Sequence, residues 1–151
     1  MSKFIYCNKT EKSLLKLSPV EFEWLIELLY INMGYETQWT TQTRDGGKDI
    51  IAKIKRTDGW EYVYEECKRY TKTNLSNETV RAIIGTIITD KINRGVIFCT
   101  GHVSENLKNY DKRIQIWTLE EIIFLLNSHL GSDWPKRLTV LIENQRIKHK
   151  K

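Results

Sequence analysis

Proline is scarce in this chain. It occurs twice in 151 residues, and Pro19 and Pro135 both stand where a helix would begin rather than inside one. Long apolar runs are missing as well. The longest, such as 82–88 and 122–126, fall far short of the ~18 residues that a membrane-spanning helix needs. The first nine residues, MSKFIYCNK, hold neither an apolar core nor a small-residue cleavage site, so no secretory leader and no membrane partner are expected. Cysteine is nearly absent. Cys7, Cys67 and Cys99 are odd in number and widely spaced, without C-x-x-C, which speaks against a disulfide framework and against a structural zinc site. Cys67 and Cys99 sit in apolar runs and read as buried small hydrophobes in a reducing, cytoplasmic setting.

What is present is enough apolar and aromatic side chain, 40% and 11%, for 151 residues to fold as a single domain around its own core. The net charge of +5 excludes an acidic solvating protein and points to an anionic partner. The excess lies entirely in the second half and ends in Arg146, Lys148, Lys150 and Lys151. That run is either a solvated tail or an arm along a phosphate backbone.

Ser18-Pro19-Val20-Glu21 reads as a capping box with proline at the first helical position. Phe22, Leu25, Ile26, Leu29, Tyr30 and Met33 then repeat at helical spacing, and Gly34 supplies the stop. This predicts a helix over 19–33. Strands are expected at 35–40, 49–55 and 60–70, the last two joined by a hairpin at Asp58-Gly59. Helices follow at 77–90, with Val80, Ile83, Ile84, Ile87 and Ile88 on one side, and at 104–110, 119–130 and from Pro135, where Leu138, Leu141 and Ile142 form the apolar face. Strands at 95–100 and 114–118 alternate with them. The order implies an α/β fold, one mixed sheet flanked by helices. The expected core covers about 17–130, with an N-terminal extension over 1–16 and a C-terminal helix and basic tail over 132–151.

The chemistry-bearing stretch is Tyr64-Glu65-Glu66-Cys67-Lys68. Strand alternation puts Glu66 and Lys68 on one face and Cys67 in the opposite layer. If the hairpin pairs as expected, Asp49 lies beside Glu66, and two neighbouring carboxylates repel unless a cation sits between them. Mg²⁺, with Mn²⁺ as its substitute, is the natural occupant, because it accepts one or two carboxylates and keeps water and phosphate in its other positions. Lys68 would then orient the attacking water and neutralise developing charge. Such a site hydrolyses phosphodiesters.

Phe22-Glu23 on the capped helix, Asp45-Gly46-Gly47-Lys48-Asp49-Ile50, Glu66-Cys67-Lys68-Arg69-Tyr70, Val80-Arg81 with Gly85, and Gly95–Gly101 together resemble the Mrr-type restriction endonuclease catalytic domain, of the PD-(D/E)xK nuclease superfamily. The similarity runs over roughly 17–126. It implies a restriction-endonuclease-like core and divalent-metal-dependent cleavage of DNA. Asp49, Glu66 and the backbone carbonyl of Cys67 would hold the metal, Lys68 would be the catalytic lysine, and Glu23 would orient Lys68 or a metal-bound water, whereas Glu27 reads as an ordinary helix-surface glutamate. Lys48, Lys53, Arg69, Tyr70 and Arg81 are candidate DNA contacts, with core packing an equal alternative for Tyr70. Most members of that family carry glutamine where this chain has Glu66, and the chain leaves no room for the separate recognition domain that restriction members append. Cutting both strands with one site per chain suggests a homodimer or larger assembly. The alternatives are a catalytically silent nucleic-acid-binding module or a subunit of a larger DNA-processing complex. Trp39, Trp60, Trp117 and Trp134 read as core or interface anchors, and His102 as a loop residue.

Overall fold

A computed structural model of the chain describes residues 9–39 and 50–150. Six helices and five strands are formed there. The helices are α1 (Lys9–Leu15), α2 (Pro19–Asn32), α3 (Asn77–Asp90), α4 (Glu105–Lys108), α5 (Leu119–Leu130) and α6 (Trp134–Lys148). The strands are β1 (Glu36–Trp39), β2 (Ile50–Arg56), β3 (Gly59–Lys68), β4 (Arg94–Cys99) and β5 (Ile114–Trp117). They form one mixed sheet in the order β1-β2-β3-β4-β5, antiparallel through β3 and parallel from β3 to β5. This is the expected α/β class.

Local chemistry sets the element ends. The Ser18 hydroxyl accepts the Glu21 N–H at 3.1 Å, while the Glu21 carboxylate accepts the Ser18 N–H at 2.9 Å, which fixes the start of α2. Met33 caps that helix, and Gly34 leaves it at φ +96°, a left-handed conformation that favours glycine. The β2–β3 hairpin closes on Thr57-Asp58, one residue earlier than expected, because Gly59 pairs with Arg56 and takes φ +140° itself. β3 also ends at Lys68, so Arg69 and Tyr70 lie outside the strand. The unforeseen element is α1. It spans seven residues, too short for a helical period to stand out, and is held by Leu14 and Leu17 in the core.

The sheet separates two apolar layers. On one side Ile50, Ala52, Val63, Cys67, Val96 and Phe98 meet side chains of α1, α2, α5 and α6. On the other, Tyr64, Ile97, Cys99, Ile114 and Ile116 meet Val80, Ile83 and Ile87 of α3 and Leu107 of α4. Ile88, expected on the buried side of α3, points outward and is 59% exposed. Because α6 packs on α2, the basic residues Arg146 and Lys148 belong to a docked helix rather than a frayed tail. No helix among the described residues is long and apolar enough to cross a membrane.

Candidate active site

The C-terminal end of β3 carries the candidate site. Tyr64, Glu66 and Lys68 alternate onto the α3 side, where they line a groove with Thr79, Ala82, Ile83 and Thr86. Cys67 turns into the α2-side core, as strand alternation requires. Lys68 Nζ lies 2.9 Å from Glu66 Oε2, and the Tyr64 hydroxyl donates to Glu66 Oε1. Glu66 is only 6% exposed. A carboxylate this deep needs compensation, and a hydroxyl on one oxygen with an ammonium on the other supplies it. The ammonium reaches toward solvent, with 29% of the Lys68 side chain accessible. The role of Tyr64 is not stated by any motif, although its i, i+2, i+4 spacing with Glu66 and Lys68 gives the signal.

The strand exit beyond Lys68 is pinned from β4. The Thr100 N–H donates to the Lys68 carbonyl at 3.1 Å, and the Thr100 hydroxyl to the Tyr70 carbonyl at 2.6 Å. Gly101 leaves space for this crossing: a Cβ there would stand 2.3 Å from the Thr73 carbonyl oxygen and 2.8 Å from Tyr70 Cβ. His102 meets Asn74 through its backbone, in keeping with a loop role.

Glu23 approaches from α2. Its Oε1 accepts the Trp39 indole N–H at 2.8 Å. Burial pushes its carboxyl pKa up; the Trp39 hydrogen bond opposes this, the Glu66 charge adds to it, and the Lys68 charge lowers it. Glu27, one turn further along, is not the surface residue expected from its helical spacing. It is 1% exposed and accepts hydrogen bonds from Thr37 at 2.8 Å and Gln145 at 2.9 Å. Trp39 is half-buried on the edge of that layer, Trp134 is buried, and Trp60 lies outside the core at 40% exposure.

The remaining expected residues are spread more widely. Asp49 and Lys48 lie outside the described residues. Lys53 shares the Tyr64 side of the sheet, with its ammonium 4.6 Å over the Trp60 ring; Lys55 lies 5.5 Å over the same ring. Arg69 turns back to donate to the Leu15 carbonyl of α1 at 3.3 Å. Tyr70 packs against the α3-side core, and Arg81 is exposed on α3. Glu65, between the site residues in sequence, is fully buried in the opposite layer with both carboxyl oxygens unpaired, and its pKa is driven well above the usual carboxylate range, first by burial and then by the Glu27 charge.

The groups that the family resemblance assigns to a metal at the β3 end, the Glu66 carboxylate and the backbone carbonyl of Cys67, are oxygens. Such a set suits a hard divalent cation that keeps most of its water. No group of three or more His, Cys, Asp or Glu side chains gathers for a metal among the described residues.

A mixed sheet with helices on both faces and Glu-x-Lys at the end of a central strand is the arrangement of a nuclease-type α/β domain. The restriction endonuclease family model Mrr_cat matches residues 14–126, and the chain belongs to that family. Among solved structures it is similar to the DNA modification-dependent restriction endonuclease AspBHI, with a TM-score of 0.69 and 19% identity, over 98% of this chain and 43% of that one. The chain thus spans less than half the length of that protein. It is also similar to AF1548, a protein of unknown function, with a TM-score of 0.56 and 15% identity, over 85% of this chain and 97% of the other. At these identities the likeness shows the fold. No curated protein matches the chain in sequence.

Proposed function

We propose that the chain is a divalent-metal-dependent DNA endonuclease that hydrolyses phosphodiester bonds at the C-terminal end of β3. The observation that carries this reading is the pairing of Lys68 with the buried Glu66 carboxylate, 2.9 Å apart, in a chain of the restriction endonuclease family. A Mg²⁺ ion held by Glu66, the Cys67 carbonyl and, following the family resemblance, Asp49 would supply Lewis-acid stabilisation of the phosphate and a more acidic water. The protein's own groups do the rest. Tyr64 holds one oxygen of the Glu66 carboxylate and Lys68 the other, which together fix its orientation. Lys68 places a positive charge where the non-bridging oxygens gain negative charge in the transition state. Glu23, restrained by Trp39, orients Lys68 or a bound water.

DNA is the proposed substrate, and the face running from the site to the hairpin suits its backbone. Lys53 and Lys55 hold their ammonium groups over Trp60 on the same side of the sheet as Glu66 and Lys68. Resting on an indole face restrains two otherwise mobile cations. Double-strand cleavage then requires a second site, which a homodimer supplies. Supercoiled plasmid and a four-way junction, incubated with the protein in Mg²⁺, Mn²⁺ or EDTA, test the reading. It expects cutting or nicking in either metal and none in EDTA, with Glu66→Ala inactive. Tight DNA binding with no cleavage in either metal would instead establish a silent binding module.

A further inference from the structure

The last turn of α6 reaches Glu23 of α2 through packed side chains. His149, which caps α6, lies with Nε2 2.6 Å from Glu27 Oε1, a buried carboxylate that Gln145 also holds. Anchored there, the imidazole stacks on Trp24 with ring centres 6.2 Å apart and planes 11° from parallel, and it meets the Trp39 ring at 4.7 Å. Trp24 and Trp39 touch each other at 5.8 Å. Arg146 adds a second fastening, over the Trp24 ring at 5.2 Å and 3.2 Å from Glu21 on the first turn of α2. The imidazole thereby helps fix the plane of the Trp39 indole. The edge that this plane presents to α2 carries the N–H that Glu23 accepts at 2.8 Å.

We propose that Trp39 and His149 are positioning residues for Glu23: the C-terminal turn of α6, locked on Glu27, sets the Trp39 indole, and the indole sets the Glu23 carboxylate. The proposal rests on the nuclease reading of Glu23. It assigns the end of α6, 126 residues away in sequence (149 − 23), to the quality of the active site rather than to the core alone. A half-buried indole that served only as packing would be replaced by phenylalanine with little consequence, because the aromatic ring is kept and the N–H alone is lost.

The test uses the full chain with Trp39→Phe, His149→Ala and the double variant, measured for kcat and KM on plasmid DNA in Mg²⁺, alongside thermal melting. Each single variant is expected to lower kcat about 10- to 100-fold, the range seen when a partner that orients an active-site ligand is removed, with KM little changed. Because His149 acts through the indole, the double variant is expected to be no worse than Trp39→Phe alone. Unchanged kcat in Trp39→Phe, or effects that add in the double variant, would overturn the proposal. NMR of the tryptophan indole N–H groups separates this from failure of the nuclease reading. The Trp39 signal is expected to shift in both His149→Ala and Glu23→Gln, whether or not the parent cleaves DNA. A Trp39 signal unmoved by His149→Ala would overturn the coupling even in an active nuclease.

Discussion

Tyr64 and Lys68 bracket Glu66 on one face of β3, the phenol donating to one carboxylate oxygen and the ammonium standing 2.9 Å from the other. The carboxylate is thereby both buried and fixed, and only the lysine end opens to solvent. Tyr64→Phe leaves the ring in the core but frees one oxygen of Glu66. The expected result is a folded protein with weaker metal-dependent activity, restored in part by raising the metal concentration. Titration of cleavage rate against Mg²⁺ checks this.

Gly101 is predicted to accept no side chain. A Cβ at 2.3 Å from the Thr73 carbonyl forces the segment that follows Lys68 to move. Gly101→Ala should destabilise the fold by about 1–3 kcal/mol, as overpacking does, and should lower activity further by displacing Lys68. Chemical denaturation of the parent and variant gives the first quantity.

Glu65 makes stability fall as pH rises. Burial, and after it the Glu27 charge, hold its carboxyl pKa well above the usual range in the fold, whereas the same group ionises near the ordinary carboxylate value once the chain unfolds. Above that value the folded state binds more protons than the unfolded one, so unfolding becomes easier with each step in pH until the folded group itself ionises. The slope from this group is about 1.4 kcal/mol per pH unit. Glu65→Gln removes the ionisation while keeping the shape. Melting temperatures of the variant should exceed those of the parent at neutral pH and converge with them below the carboxylate range; an identical pH profile for both proteins would refute the assignment.

Lys53 and Lys55 should show themselves in salt dependence rather than in chemistry. Each phosphate contact removed lowers the slope of log affinity against log salt by about one. The double variant Lys53→Ala/Lys55→Ala is expected to bind duplex DNA more weakly and with a shallower slope, and to keep the parent's kcat at saturating DNA. Filter binding across a salt series measures it.

Much of this molecule was legible because its signals are local. The capping box at Ser18 and Glu21, the run of Val80, Ile83 and Ile87, and the alternation that sends Cys67 away from Glu66 and Lys68 each act within a few residues. What escaped depends on partners far along the chain. Glu27 is one carboxylate among several on α2 in sequence, and it becomes a buried anchor only because Gln145 and His149, 118 and 122 residues away, fold onto it. Trp39 gives no sign in sequence of whether its N–H meets solvent or Glu23. Helix α1 has one turn of apolar residues and borrows its stability from α5 and α6. That Glu66 and Lys68 share one face was readable from β3 alone; the side chains packed around them were not.

The central claim is that Lys68 acts in the chemical step. Single-turnover cleavage of plasmid DNA by the parent and by Lys68→Ala, with DNA affinity measured in the same samples, tests it most directly. A fall in rate on the order of 10²–10³, the usual effect of removing one group that stabilises transition-state charge, with affinity nearly unchanged, is the predicted result. Cleavage by Lys68→Ala at the parent's rate, or a rate loss wholly explained by weaker binding, would contradict the account.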